Sequence, residues 1–276
     1  MRPIVFVPQG GLCNRMRAVV SAVNLAVRLE RNLKIVWTVS SECGAGFEDV
    51  FRRVLLDGLP AGVQVQSVRL PSRIAWRVRT AIRALSVRVG WRWFSNFKRD
   101  DFDALNPEAL RGEKIVVESG YSFCPAVGDA VLMRRLFRFR EEIEAKAAKL
   151  VDGEAIGVHI RRTDNSVSIA ASPLRLFEKA IRDRLRTAPD RRFYLATDSE
   201  DVAERLKSMF GEAIVMQEGR SLKRGDRDGI AAAAVDFLAL SKCKEILGSY
   251  WSSFSDISAE YGGIPLTVLK DEKTAD

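Results

Sequence analysis

The chain carries one histidine and four cysteines in 276 residues. Cys13, Cys43, Cys124 and Cys243 stand far apart and form no CxxC pair. With a single imidazole beside them, that pattern argues against a zinc cluster and for scattered, reduced thiols. No apolar run approaches the ~18 residues a membrane span needs. The opening MRPIVFVPQGG has a short apolar run and no cleavage-site pattern, so it reads as a first β-strand rather than a leader. A cytoplasmic protein is therefore expected. Acidic residues are missing from one long stretch: between Asp57 and Asp100 there is no Asp or Glu, while Arg and Lys recur throughout. Short-period repeats and low-complexity tracts are also absent.

What is present is enough for a sizeable core, with 47% hydrophobic residues and a length that suits two compact domains. The formal net charge of +8 favours anionic partners: phosphates, nucleotides, nucleic acid or an acidic membrane surface.

The chain begins as strand (Arg2–Val7), glycine turn (Pro8-Gln9-Gly10-Gly11) and helix (about Cys13–Arg31), with a second strand at Leu33–Val39. From Pro71 an arginine-rich stretch places Ile74, Val78, Ala81, Ile82, Leu85 and Val89 on one helical face. Lys114–Ser119 reads as a strand and Ala130–Leu150 as a helix closing the first half. The second half alternates. Strands are expected at 155–160, 192–197, 213–216, 245–248 and 266–269. Helices are expected at 173–188, 201–210, 229–242 and 254–261, the first with Ser172 as N-cap and Pro173 at its first position. Such alternation predicts an α/β protein with parallel sheets covered by helices, the Rossmann-type arrangement, divided near residue 150.

In open α/β sheets, ligands bind beyond the carboxyl ends of the strands. Four stretches stand there. In PQGGLCNRMR, Gly10 and Gly11 permit positive φ and close approach of a ligand, and Asn14 and Arg15 open a helix whose N-terminus attracts anions. The pattern is not GxGxxG, and an ordinary βα turn is the competing reading. In GVHIRRTDNSVS, Arg161 can fork two N–H bonds onto a pyrophosphate. His159 shares its side of the strand, and Arg162 points the other way as a structural residue. In YLATDSEDV, Asp198 can accept from the paired N1–H and N2–H₂ of guanine, or Thr197 or Asp198 simply caps the next helix. In GSYWSSFSDIS, Ser252 and Ser253 make an anion site at a helix start, or act as caps.

In this order, these stretches resemble the fucosyltransferase superfamily that uses GDP-fucose, which includes bacterial α1,2- and α1,6-fucosyltransferases and protein O-fucosyltransferases. The matching residues are Gly10-Gly11-Leu12-Cys13-Asn14-Arg15, His159-Ile160-Arg161-Arg162-Thr163-Asp164, Ala196-Thr197-Asp198, Asp236 with Leu240-Ser241-Lys242-Cys243, and Ser252-Ser253-Phe254-Ser255. Only about residues 40–125 lack a match. The resemblance implies a GT-B-like pair of Rossmann-type domains facing a central cleft. Residues 1–150 would be the acceptor side and 151–276 would bind the GDP-sugar. It implies an inverting transfer of fucose to a glycan hydroxyl, with no metal. Arg161 would bind the β-phosphate, His159 the nucleotide and Asp198 the guanine. Ser252, Ser253 and Phe254 would line the diphosphate, and Gly10, Gly11, Asn14 and Arg15 would approach from the first domain. In the α1,6 branch a Glu follows the H-x-R-R-x-D element as a base. Here NSVSIAA (165–171) has no carboxylate, and Asp164 becomes the first candidate, either as base or as a holder of Arg161 or Arg162.

Residues 69–99, with Trp76, Trp91 and Trp93 among the arginines, suit an anionic membrane surface at the inner face or a lipid-linked glycan acceptor. A core-packed helix with a solvated basic face is the alternative. Three rivals remain: a metal-dependent GT-A enzyme using Asp101-Phe102-Asp103, a non-enzymatic basic module, and the same fold using GDP-mannose or another GDP-sugar. A basic module explains the charge but not the four ordered strand-end stretches, so no nucleic-acid partner is expected.

Overall fold

The computed structural model describes residues 3–52, 62–69, 72–106 and 110–271. They form two compact units, 1–140 with 223–231 and 141–222 with 232–276. Ile74, Val78 and Trp76, named above on the arginine-rich stretch, have side chains outside the described residues.

The first unit contains β1 (Ile4–Pro8), α1 (Leu12–Arg28), β2 (Leu33–Val39), α2 (Phe47–Val50), β3 (Val63–Arg69), α3 (Ser72–Arg88), β4 (Trp91–Phe94), α4 (Arg99–Ala104), β5 (Lys114–Ser119) and α5 (Asp129–Leu136). Its sheet has the order β3-β2-β1-β5-β4, and every pairing is parallel. β1 alternates buried and half-buried residues, and the buried Ile4 and Phe6 lie in register with Leu33 and Ile35 of β2. α1 buries most of its circumference, Met16 to Ala26, because it crosses the sheet directly after β1. The region expected as one helix over Ala130–Leu150 is broken. Phe137 and Phe139 turn into an aromatic cluster with Trp37, Phe47 and Phe51, whose ring centroids lie 4.9–6.2 Å apart. Burying two Phe rings outweighs continuing a charged helix there.

The second unit contains α6 (Glu141–Ala148), β6 (Ile156–Ile160), α7 (Ser166–Ala171), α8 (Leu174–Thr187), β7 (Phe193–Thr197), α9 (Glu200–Phe210), β8 (Ile214–Val215), most of α10 (Arg227–Ser241), β9 (Glu245–Ser249), α11 (Ser253–Gly262) and β10 (Leu266–Leu269). Its parallel sheet has the order β10-β9-β6-β7-β8. β6, β7 and most of β9 are buried, as central strands covered on both faces should be. On one face Ile156, Val158 and Ile160 pack with Phe177 and Ile181 of α8 and Leu206 of α9. On the other lie Gly157 and His159, paired in register with Ile246 and Gly248 of β9. A Cβ on Gly248 would stand 2.7 Å from the Ser255 side chain, so glycine is what lets α11 approach the sheet this closely. Among the described residues no helix is long and apolar enough to cross a membrane.

The chain runs from β6 outward through β7 and β8, then crosses to β9 on β6's other side. The reversal leaves a crevice beyond the carboxyl ends of β6 and β9, where this class of sheet takes its ligands. The corresponding reversal in the first unit lies between β1 and β5.

Candidate functional site

At the end of β6 the chain enters a loop, Arg161–Asn165, that is fastened on several sides. Arg161 N–H donates to Ser249 Oγ at 3.1 Å, and Arg162 N–H donates to Asp198 Oδ1 at 2.7 Å. The Thr163 hydroxyl donates to Asp198 Oδ2 at 2.8 Å, and the Arg162 guanidinium donates to the Ser172 carbonyl at 2.7 Å. Asn165 caps α7 through the Ser168 N–H at 3.0 Å, and its Nδ2 donates to the Trp251 carbonyl at 2.9 Å. Within this frame the largely buried Arg161 guanidinium lies between Asp164, which it contacts through Nη2, and Asp198, at 3.3 Å from Nε. Arg162 is structural, as the period of two anticipates.

His159 is 5% exposed. Its Nδ1 is 2.7 Å from Ser255 Oγ and 3.5 Å from Ser252 Oγ, and its ring stacks on Phe254 with centroids 4.9 Å apart. Burial, reinforced by the neighbouring Arg161 charge and opposed by Asp198, pushes its pKa down to about 3. The imidazole is therefore neutral at physiological pH. Because the unfolded chain takes up this proton below about pH 6.5 and the native state does not, stability is full above pH 6.5 and falls as pH drops toward 3. The slope is up to about 1.4 kcal/mol per pH unit. His159→Gln is expected to flatten it in urea unfolding curves at pH 7 and pH 5. As this is the chain's one histidine, the NMR signal of its imidazole should hold still between pH 8 and pH 5. A titration near 6.5 would contradict the buried placement.

Ser252 occupies the N-cap position of α11 without a side-chain cap bond, so its hydroxyl is turned to His159 instead. The α11 N-terminus, with Ser253 and Phe254 in its first turn, opens beside the β6 loop. Trp251, which the sequence did not single out, is 68% exposed and holds a left-handed backbone, φ 54°. For a bulky residue that conformation is uncommon and strained, and such outliers cluster at functional sites.

Two expectations change. Ser199, not Thr197 or Asp198, caps α9, its Oγ accepting from the Val202 N–H at 3.4 Å. Both oxygens of Asp198 bond the β6 loop, so the carboxylate shapes that loop. Likewise Pro173 stands at the N-cap of α8, and the Ser172 hydroxyl donates to the Leu269 carbonyl while accepting from the Tyr250 N–H. The Ser172 hydroxyl, next to a helix start, ties strand ends together instead of capping the helix.

In the first unit, Gly10 has φ 79°, and a Cβ there would meet the Asn14 side chain at 2.9 Å. Asn14 Oδ1 is buried without a hydrogen-bond partner, an arrangement that suits a polar group held out for a ligand. Arg15 is turned inward. Its guanidinium donates to the carbonyls of Gly10 and Thr38 and to Ser40 Oγ, and stacks over Trp37 at 5.1 Å. Burial pushes its pKa down. Arg15 therefore braces the glycine turn rather than meeting a ligand with its charge. The Asp101-Phe102-Asp103 triplet lies in α4, where Asp101 accepts from the Lys98 N–H, Phe102 is buried and Asp103 pairs with Arg99. That disposes of it as a strand-end metal site. Asp236 lies in a buried network with the Tyr194 hydroxyl at 2.6 Å, Gln217 Nε2 at 3.2 Å and Arg220 at 3.5 Å. Burial pushes both its carboxyl and the Tyr194 phenol upward.

The chain thus has the two-unit, doubly wound α/β fold of sugar-nucleotide glycosyltransferases of the GT-B type. No family model matches it, and no curated protein sequence does. Solved structures do. It is similar to NodZ α-1,6-fucosyltransferase soaked with GDP-fucose, at 20% identity and TM-score 0.63 over 97% of this chain and 95% of that one. NodZ from Bradyrhizobium matches at 20% identity and TM-score 0.61, over 94% of this chain and 93% of that one. Arabidopsis thaliana FUT1 mutant R284K in complex with GDP matches at 14% identity and TM-score 0.59, over 99% of this chain and 71% of that one. The fold anticipated from the ordered strand-end stretches is the one observed.

Proposed function

We propose that this protein is a fucosyltransferase that moves fucose from GDP-fucose to a hydroxyl of a glycan, with inversion at the anomeric carbon. The observation that carries the reading is the fastened loop after β6, which holds Arg161 at the switch point beside the α11 N-terminus. A guanidinium fork and helix-start N–H groups are what a departing diphosphate requires. In this reading the acceptor oxygen attacks C1 of fucose as the C1–O bond to the β-phosphate breaks. The bond's electron pair leaves with GDP, and Arg161 stabilises the growing charge. The acceptor's proton passes to Asp164, the carboxylate nearest Arg161 in the loop. The positive potential needed comes from the protein, so activity should survive EDTA. His159, neutral and stacked on Phe254, shapes the nucleotide's bed.

Thermal unfolding with GDP, UDP and ADP tests the donor. A ligand at 100 times its Kd adds about 2.7 kcal/mol, and GDP is expected to do so where UDP and ADP do not. GDP-mannose in parallel with GDP-fucose, read by product formation, separates the donor sugars. Asp198→Asn should lower activity, and whether the preference for GDP over ADP survives separates its two roles: a lost preference assigns Asp198 the reading of guanine, a kept one leaves it as the brace of the β6 loop.

A further inference from the structure

The second half of α3 is barely covered. Ile82 and Leu85 on one face of it, and Val89 just past its end at the same helical spacing, are 54%, 64% and 55% exposed. Val87, also half exposed, projects from another side of the same turn. Among residues 80–90 only Ser86 is partly buried, and its hydroxyl bonds back to the Ile82 and Arg83 carbonyls. Isolated exposed aliphatics are ordinary, but a row of them along a helix marks a surface made for contact.

The charged residues of α3 and β4 are all basic. Arg83 and Arg88 flank it on the helix, and Arg92 follows on β4 with its guanidinium 5.4 Å from the Phe94 ring. Lys114 Nζ donates to the Val89 carbonyl at 3.0 Å, adding a cation at the helix's carboxyl end. Arg83 reaches Ser95 Oγ at 3.2 Å, and that hydroxyl in turn reaches Glu118, a buried carboxylate. From residue 58 to residue 99 the chain itself supplies no acid. A protein partner with a matching apolar patch would need no such basic frame. A bilayer with anionic headgroups needs both: aliphatic side chains that enter the acyl boundary, and arginines that meet the phosphates while their stems lie along the apolar layer.

We propose that the exposed face of α3, with Arg83, Arg88 and Arg92 as its rim, docks on an anionic phospholipid surface. Ile82, Leu85 and Val89 enter the headgroup boundary and the helix lies in the membrane plane. This goes beyond donor chemistry and does not depend on it.

The test is co-sedimentation of the full chain with vesicles of phosphatidylcholine and phosphatidylglycerol at 3:1, and with phosphatidylcholine alone, without any nucleotide. Binding to the anionic vesicles is expected, weakened by added salt, with little binding to the neutral ones. Arg83→Ser with Arg88→Ser should lower the partition roughly 25-fold, about five-fold for each arginine. Ile82→Asp with Leu85→Asp should lower it at least about ten-fold. All four side chains are exposed, so circular dichroism and the response to GDP should match wild type in every variant. Three results would overturn the proposal: no binding by the wild type, equal binding to neutral vesicles, or binding that the variants leave unchanged. A concentration-dependent dimer, seen by analytical ultracentrifugation and abolished by Leu85→Asp with no vesicle binding, would assign the face to a second copy. Failure to bind GDP would strike the donor reading and leave this one standing.

Discussion

Arg161→Ala is expected to abolish stabilisation by GDP and to lower fucose transfer by roughly 10²–10³-fold, the usual loss when one preorganised group facing developing charge is removed. The size follows from the surroundings. The guanidinium is largely buried, its backbone N–H is held by Ser249 and its Nε lies beside Asp198, so it has little left to reorganise when a diphosphate arrives. Arg161→Lys keeps the charge and loses the fork. It should recover part of the binding and less of the rate, as the fork matters most where charge builds up on two oxygens. Equal activity of wild type and Arg161→Ala on GDP-fucose would remove the clamp from the mechanism. Unfolding midpoints without ligand should stay close to wild type, separating loss of function from loss of fold.

Asp236→Ala is expected to cost about 3–5 kcal/mol of stability, read from urea unfolding. The carboxylate and the Arg220 side chain are both buried, and Arg220 also donates to the Gln217 and Thr197 carbonyls at 2.7 and 2.8 Å. Removing Asp236 strands the guanidinium's charge in the interior, along with the Tyr194 hydroxyl. Tyr194→Phe removes one hydrogen bond to the carboxylate and should cost about 1–3 kcal/mol. The double variant should cost less than the sum of the two, since both changes act on the same bond. Strict additivity would show that the network is not one unit.

How far the sequence could be read follows from how local each signal was. β2, β5 and β10 agree residue for residue with the expected strands, because apolar runs bounded by breakers depend on nearby residues alone. β3 and β4 carry no such run. They are the edge strands of their sheet, and edges carry polar or charged residues such as Gln64, Gln66 and Arg92 that blur the pattern. α7 leaves no pattern either, being six residues long, too short to show a helical period, with only Asn165 to mark its start. At the site, the grouping of β6, β9 and α11 residues was legible through the order of the strand-end stretches. The roles of Ser172 and Asp198 were not. Capping is a rule about neighbours, whereas Asp198 bonds a backbone N–H 36 positions away.

That distance also sets a time of arrival. The loop holding Arg161 takes its shape from Asp198 after β7, from Ser249 at the end of β9 and from Trp251 beyond it. None of these lies close in the chain, so no fragment ending before residue 249 contains the parts that fix it. The pieces meet only when the middle of the sheet has been assembled from both sides, and closures over such separations come late. Nucleotide affinity should therefore appear in the last stage of refolding, after helix content has returned. A stopped-flow record of nucleotide binding beside one of circular dichroism would show the interval between them.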